Sequence, residues 1–464
     1  MKRTYISELQ KEIGKNVEVF GWVHSRRDHG KIIFFDLRDS TGLLQVVSTP
    51  KNEESYKIAS SLTSEDVIKV SGSLKERPES NVNKDIETGN LELNAENIEI
   101  IGKAKELPLP IDTDGSEIDE AVRLKYRYLD LRRERLQRNL STRHKIVTAI
   151  REFLNGQKFL EIETPYMSKT TPEGARDFLV PSRLQKGKFY ALTQAPQQYK
   201  QLLMLAGVDR YYQIARAFRD EDLRADRQLE HTQIDMEMAF VSREDILDLV
   251  EEMLINVAEK LGKKITEKPF PRYAHKEAQE KFGADKFDIR KNKEDKDELG
   301  FAFVIDYPLL EKDEETNKWT FSHNPFTSPK EEDKEKLMKM EDLGSISSLQ
   351  YDVVCNGFEF GSGSIRIHEP ELQKKVFEVM GYTPEQIKED FSHILEAYEY
   401  GAPVHGGIAM GIDRIAAVFS GESSIREVVA FPVNSSGQTA VMDAPTEVSE
   451  NILKELGIKK LAKE

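Results

Sequence analysis

Cysteine is almost missing from this chain: Cys355 is the only one in 464 residues. That excludes an internal disulfide framework and any cysteine-rich zinc site, and it fits a reducing cytoplasm. Long apolar runs are missing as well. No stretch approaches the roughly eighteen residues of a membrane helix, and the opening MKRTYISELQ lacks the apolar core of a signal peptide. A soluble, cytoplasmic protein with no membrane partner is therefore expected. The glycine-rich phosphate loops GxxxxGK[ST] and GxGxxG do not occur, so ATP, if bound, needs another architecture. Basic charge is in deficit, with 67 Lys and Arg against 82 Asp and Glu, a net charge of −15. On totals this argues against a nucleic-acid partner, because phosphate contacts are made by Lys and Arg. The distribution argues otherwise: residues 123–145 hold nine basic side chains against two acidic ones, while 291–313 and 331–342 are acid-rich. A nucleic acid can then lie along one face of an acidic protein.

What is present centres on Tyr211 to Phe240, YYQIARAFRDEDLRADRQLEHTQIDMEMAF. Its two ends alternate with period two and predict an antiparallel hairpin closed by a loop dense in both charge signs. Asp235 and Glu237 fall on one strand face, with Arg219 and Glu221 just above them at the loop entrance. Such a place can hold a zwitterion and a phosphate together. The plainer alternative is a solvated hairpin with incidental surface ion pairs.

The words FRDEDLRADRQLEHTQIDME resemble the second signature of class II aminoacyl-tRNA synthetases, in the form carried by bacterial-type aspartyl-tRNA synthetases. The resemblance implies that Arg219 grips the α-phosphate of ATP, that Glu221 and Gln228 contact the nucleotide, and that the intervening loop reaches the acceptor end of tRNA. One residue departs from the pattern: His231 stands where the family usually has Phe. It is expected under the adenine, making ATP binding mildly pH-sensitive because imidazole protonates near pH ~6.5; the alternative is that it merely packs.

In chain order, residues 1–101 predict five short strands with a helical interruption near 56–62, which suits an OB-fold β-barrel. Arg26, Arg27, one of Phe34 or Phe35, Gln45 and Glu92 supply charge, stacking and base-edge hydrogen bonds for single-stranded bases. The segment GWVHSRRDHGKIIFFDLRDSTGLLQVV resembles the family's anticodon-binding domain, which implies that Arg27, Phe34, Gln45 and Glu92 meet the anticodon. His at position 29 tends in that family to accompany enzymes that also aspartylate tRNA(Asn), and an imidazole, able to donate or accept, can meet either pyrimidine edge. The competing reading leaves His29 as a solvent-facing turn residue.

Residues 102–135, with LPLPIDTDG, read as a hinge, 136–440 as the catalytic domain and 441–464 as a C-terminal extension. Ile146, Val147, Ile150, Phe153 and Leu154 share one helix face that Gly156 ends, and FLEIETPYM gives a strand closed by Pro165. The pair resembles the first class II signature, implying a homodimer. Glu173, Gln197 and Lys200 match the family's amino-acid pocket, although a lone Lys is more often solvated. Near 285–300, where the bacterial family inserts a whole domain, this chain has only KNKEDKDELG, read as a solvated connector. His323 matches a family His that approaches bound aspartate on a mobile loop.

YDVVCNGFEFGSGSIRIH places Asp352, Glu359 and Arg366 in one extended, glycine-relieved strand, and a bulge or bend is needed to bring both carboxylates to one site. The resemblance implies that Asp352 and Glu359 bind Mg2+ and that Arg366 clamps the substrate's side-chain carboxylate. GAPVHGGIAMGIDRI resembles the third signature, a strand and then a glycine start, Gly411, to a helix carrying Arg414, both at the ATP site. The same resemblance implies that catalysis falls to Arg219 and Arg414. Gln197, Lys200, Arg219, Asp235, His323, Arg366 and Glu173 form the aspartate site.

The expected protein is thus α+β, an OB-fold barrel followed by a catalytic domain on an antiparallel sheet flanked by helices. It attaches L-aspartate to tRNA(Asp), and on the His29 reading to tRNA(Asn) also, with ATP as substrate. An asparaginyl or lysyl enzyme is disfavoured because Arg366 and Lys200 facing an amide would be unpaired charges. A non-catalytic OB-fold binder is disfavoured by Arg219, Glu359 and Arg366.

Overall fold

The computed structural model describes residues 3–170, 174–313 and 317–460. It divides into two compact units, Met1–Arg123 and Leu124–Glu464. In the first, β1 (Asn16–His29), β2 (Ile32–Asp39), β3 (Gly42–Ser48), β4 (Val67–Glu76) and β5 (Leu91–Gly102) close into a barrel in the order β1-β2-β3-β5-β4, with α1 (Glu53–Ser61) between β3 and β4. Alternation along each strand sends Val17, Val19, Ile33, Phe35, Leu37, Val70 and Leu93 inward. Register slips between Val23 and Ser25 and between Ser71 and Gly72 supply the bends that closure requires.

The second unit is built on an eight-stranded sheet. Its strands are β6 (Leu160–Glu161), β7 (Arg210–Phe218), β8 (Glu230–Ala239), β9 (Arg272–Ala274), β10 (Phe301–Ile305), β11 (Gln350–Cys355), β12 (Phe358–Ile365) and β13 (His405–Gly411), in the spatial order β9-β10-β11-β12-β13-β8-β7-β6. The pairing is antiparallel throughout the middle and parallel only at the two edges. The predicted hairpin is β7–β8, with Gln213 opposite Asp235 and Tyr211 opposite Glu237.

Period two then divides β8. Ile234, Met236 and Met238 enter an apolar core shared with Ile146, Ile150 and Leu154 of α2 (Glu134–Gly156), Leu247, Val250 and Leu254 of α4 (Arg243–Lys260), and Ile415 of α6 (Ile412–Ser420). Gln233, Asp235 and Glu237 point to the other face, which is also buried. There α3 (Gln197–Leu205) lies, packed in turn against α5 (Pro384–Tyr398).

One expectation changes here. Asp352 and Glu359 do not share one strand: Asn356 and Gly357, both at positive φ (52° and 85°), make a tight turn that folds the segment into the β11–β12 hairpin. The bulge expected between the carboxylates is present, at Val353/Val354. It gives Val354–Glu359 and Asp352–Ser362 pairing, so Asp352 and Glu359 share a face. The connector 291–300 is largely solvent-exposed, as expected, and it is also held in place. Arg290 is clamped by Asp288 and donates to the Asp295 carbonyl at 2.8 Å, and Glu298–Leu299 pairs with Lys264–Ile265.

The basic stretch is largely internal. Arg127 and Arg133 are 1% exposed, and both reach the buried carboxylate of Asp130 at 2.8 and 2.6 Å. Arg127 also donates to the carbonyls of Arg426, Val429 and Ala430. Arg135 pairs with Glu422 and Glu427, and Arg143 with Asp413. These cations are spent inside the protein, so they do not form the basic face that composition suggested. They also explain why the second unit begins at Leu124 and not at 136. Asp130→Ala removes the carboxylate between two buried guanidinium groups and is expected to cost about 3–5 kcal/mol in urea unfolding of the full chain; a loss below about 1 kcal/mol would contradict this role.

Candidate functional site

Lys200, on α3, projects onto the buried face of β8. Its Nζ lies 3.1 Å from Asp235 Oδ1 and 3.2 Å from Glu237 Oε2. From the far side Arg366, just past the end of β12, meets Glu237 with both edges of its fork, Nε–Oε1 at 2.9 Å and Nη2–Oε2 at 3.2 Å. Its Nη1 donates to Ser364 Oγ at 2.6 Å, and Nη2 also donates to the Gly407 carbonyl at 3.2 Å. None of the four charged groups is more than 2% exposed. Two cations and two anions thus cancel inside the protein, as buried ions must. Gly407 is required by this closeness: a Cβ there would lie 2.3 Å from Glu237 Oε2 and 1.9 Å from the Met236 carbonyl oxygen.

The carboxylates differ in environment. Burial pushes Asp235 up to about 6, since Lys200 offsets only part of the desolvation and Glu237 adds repulsion. Glu237 is equally buried, but Arg366 and Lys200 outweigh the desolvation and hold it below the usual range. Glu237, which the sequence puts on the same face as Asp235 but not among the aspartate-site residues, is a member of this network. The signal was there, since it lies two positions from Asp235 on the same strand face, but its partner Arg366 is 129 residues away. This pairing also corrects the selectivity argument. Arg366 is paired with Glu237, Ser364 and Gly407 without any ligand, so an amide facing it would not leave it an unpaired charge.

Arg219, where β7 leaves the sheet, has the opposite character. Its backbone N–H donates to the Leu229 carbonyl at 2.7 Å and closes the loop. Its side-chain Nε is buried and has no hydrogen-bond partner among the described residues. A partly buried guanidinium with unused donors is an anion site in waiting. Around it, Glu221 pairs with Arg227 at 2.9 Å. Gln228 accepts from the Val433 N–H at 2.8 Å, while its Nε2 is buried without a partner among the described residues. Gly411 is the N-cap of α6, and Arg414, one turn in, reaches Asp226 at 3.3 Å and the Glu359 carbonyl at 3.0 Å.

His231, on β8 opposite Ala217, does not behave as expected. Burial, reinforced by the charges of Arg219 and Arg414, pushes its pKa down to about 3. It stays neutral throughout the physiological range, so the expected pH-sensitivity of ATP binding through this residue is withdrawn.

Asp352 accepts from Tyr307 Oη at 3.0 Å and Gln350 Nε2 at 3.1 Å, with His323 Nε2 at 3.8 Å. Burial works against charge on His323, but Asp352 and then Glu359 prevail and raise its pKa. Glu359 pairs with Lys286 at 2.8 Å. No group of three potential metal ligands occurs among the described residues. Two carboxylates on one hairpin face suit a magnesium ion that takes its other ligands from phosphate and water, as that ion usually does. Glu173 lies outside the described residues.

On the barrel, cross-strand pairing places Arg27 opposite Phe34, and the next row is Asp36, Gln45 and Glu92. Phe34 is half-buried on the outer face and Phe35 is in the core, which decides between them. Arg27 is held by Asp36 at 3.1 Å, and Gln45 donates to Glu92 at 3.0 Å. His29 is exposed, with its ring edge-on to Phe34 at 5.7 Å.

An antiparallel sheet that carries a charged hairpin loop, a buried zwitterion-sized ion network and a glycine-led helix with Arg414, preceded by an OB barrel, is the architecture of a class II aminoacyl-tRNA synthetase. The family described as tRNA synthetases class II (D, K and N) matches residues 119–435, and the OB-fold nucleic acid binding domain matches residues 17–101. The chain belongs to this synthetase family, whose members are enzymes that use ATP as a substrate. It is 42% identical to a Caldanaerobacter subterraneus subsp. tengcongensis protein named Aspartate--tRNA(Asp/Asn) ligase, covering 99% of this chain and 98% of that one. It is 38% identical to the Staphylococcus saprophyticus Aspartate--tRNA ligase, covering 99% of each. The first of these alignments runs over 585 positions against 464 residues here, so the relative carries a domain's length of sequence that this chain lacks.

The asparaginyl-tRNA synthetase of Pyrococcus horikoshii, solved with asparaginyl-adenylate, superposes with a TM-score of 0.75 at 22% identity over 93% of this chain and 98% of that one. The Entamoeba histolytica aspartyl tRNA synthetase gives 0.73 at 21% identity, over 93% and 91%. These two likenesses establish the fold. No helix among the described residues is long and apolar enough to cross a membrane.

In an NMR titration of the full chain, His231 is expected not to titrate between pH 5 and 8 while the Asp235 carboxyl titrates near 6. A His231 midpoint between about 6 and 7, the unperturbed range, would contradict the environment described.

Proposed function

We propose that this protein joins L-aspartate to tRNA through an aspartyl-adenylate, charging tRNA(Asp) and also tRNA(Asn). The observation that carries the reading is the pairing of two sites on one sheet face: a neutral buried quartet, Lys200–Asp235–Glu237–Arg366, beside the Arg219 guanidinium, whose Nε has no partner among the described residues. The first suits an amino acid with a charge at both ends, the second a phosphate. Several relatives at about 40% identity carry the name Aspartate--tRNA(Asp/Asn) ligase.

The side-chain carboxylate of aspartate takes the remaining donors of Arg366 and Lys200, with His323 at the rim, through charge-assisted contacts. Its ammonium takes Asp235, Gln197 and Glu173. The α-carboxylate, already ionised, attacks the α-phosphorus of ATP in line; the new O–P bond forms as the bond to the β-phosphate breaks and pyrophosphate leaves. Arg219 neutralises the charge that would otherwise keep the two anions apart, and Arg414, Glu221, Gln228, His231 and Gly411 hold the nucleotide. Mg2+, held through Asp352 and Glu359, would supply further charge neutralisation on the phosphates. The 3′-terminal adenosine hydroxyl of tRNA then attacks the activated carbonyl, and AMP leaves. The protein works as a cytoplasmic homodimer, a reading supported by the edge strand β6 with Leu160 58% exposed.

Arg27, His29, Phe34, Gln45 and Glu92 receive the anticodon. The two anticodons differ at one base, and His29, beside the Phe34 ring, offers a contact that can donate or accept. Transcripts of tRNA(Asp) and tRNA(Asn) are expected to be aspartylated with kcat/KM values within about tenfold. Undetectable charging of the asparagine transcript would establish a strict enzyme.

A further inference from the structure

Behind the amino-acid site runs a second, uncharged network in which the catalytic account gives a part to Gln197 alone. His405, the first residue of β13, is fully buried. Its Nδ1 lies 2.8 Å from the Pro403 carbonyl oxygen and its Nε2 lies 3.3 Å from Gln201 Nε2. Gln201 Nε2 also donates to Tyr398 Oη at 2.8 Å, and Gln201 Oε1 accepts from Gln197 Nε2 at 3.1 Å. Gln197 and Gln201 are one turn apart on α3, on either side of the position of Lys200.

The chemistry of this chain allows one polarity. A carbonyl oxygen can only accept, so the Pro403 carbonyl fixes the proton of a neutral His405 on Nδ1 and leaves Nε2 an acceptor. Gln201 must then turn its NH2 toward His405 and its oxygen toward Gln197. Gln197 in turn must turn its NH2 inward, which leaves its own carbonyl oxygen as the outward end. That oxygen has no hydrogen bond among the described residues. An outward carbonyl accepts from an ammonium group; an outward NH2 would repel one.

We infer that His405 and Gln201 are positioning residues that set the orientation of the Gln197 amide, so that its carbonyl oxygen faces the ammonium group of the amino-acid substrate. Burial supports the assignment by holding His405 below its ordinary pKa against the pull of Glu237, with Arg366 and His368 adding to the effect, so the ring stays neutral. Gln201 and Tyr398 are the facing groups on α3 and α5, and Tyr398 is a phenol whose pKa burial raises. The same His405 accepts the Arg366 backbone N–H on its carbonyl at 2.9 Å, so it underlies both ends of the substrate site.

The inference rests on the proposed aspartate reading and deepens it. The test is amino-acid-dependent ATP–pyrophosphate exchange by the full-length protein and three variants. Gln201→Met removes the relay with little change of shape, His405→Leu removes its terminal acceptor, and His405→Gln restores an acceptor near the place of Nε2. A lost hydrogen bond to a charged group predicts an aspartate KM raised at least threefold, and about tenfold, in Gln201→Met and His405→Leu, with the ATP KM within twofold of wild type. His405→Gln should stay within threefold on both. Should His405→Leu fail to fold, Gln201→Met alone carries the comparison. An aspartate KM that rises less than threefold, or an ATP KM that rises in parallel, overturns the inference. Absence of exchange with aspartate in the wild-type protein would instead overturn the functional reading.

Discussion

Four charges buried together, Lys200, Asp235, Glu237 and Arg366, are the constraint that the catalytic unit is arranged around. Each belongs to a different part of the chain or to a different strand position, and they meet only because α3, β8, β12 and β13 converge on one sheet face. Removing any one would leave an uncompensated ion in a low-dielectric interior, a cost of several kcal/mol. An apolar cluster of the same volume often serves stability as well or better, so on the proposed function the arrangement is explained by what it binds. A quartet that sums to zero, with donors and acceptors at opposite ends, can admit a ligand that also sums to near zero and carries charge at both ends.

The neighbouring site follows the opposite rule. Among the described residues Arg219 keeps an unused donor in a partly buried setting, and Gln228 keeps another. These unmet groups are tolerable because the loop is tied down around them: Arg414 joins Asp226 to the β11–β12 hairpin, and the Gln228 oxygen is fixed by Val433. Preorganisation of this kind places positive charge before the phosphate arrives, which is where electrostatic catalysis has its advantage.

Much of this was legible in the sequence, and what was not has a physical reason. Period-two alternation located β7, β8 and the barrel strands and put Asp235 on the working face. It could not name partners: Glu237 and Arg366 are 129 residues apart, and alternation assigns a face without a neighbour. Asn356–Gly357 is a hairpin signal, but it lies inside a run of strand-like residues that reads as a single strand. The charge of Arg127 and Arg133 suggested a surface for nucleic acid, yet Asp130 and three carbonyls fold both inside; composition counts charges without showing which are paired. The sequence carries only the solution pKa of His231; its burial, reinforced by the field of Arg219 and Arg414, is what stops it titrating there.

If the quartet is a receptor for a doubly charged amino acid, selection between aspartate and asparagine must arise at Arg366 and Lys200 even though both are already paired with Glu237. The most direct measurement is ATP–pyrophosphate exchange by the wild-type protein with each amino acid in turn. Exchange with aspartate should exceed that with asparagine by at least about a hundredfold in kcat/KM, the range expected where buried donors meet an ionic partner in one ligand only. Equal exchange with the two amino acids would contradict the account.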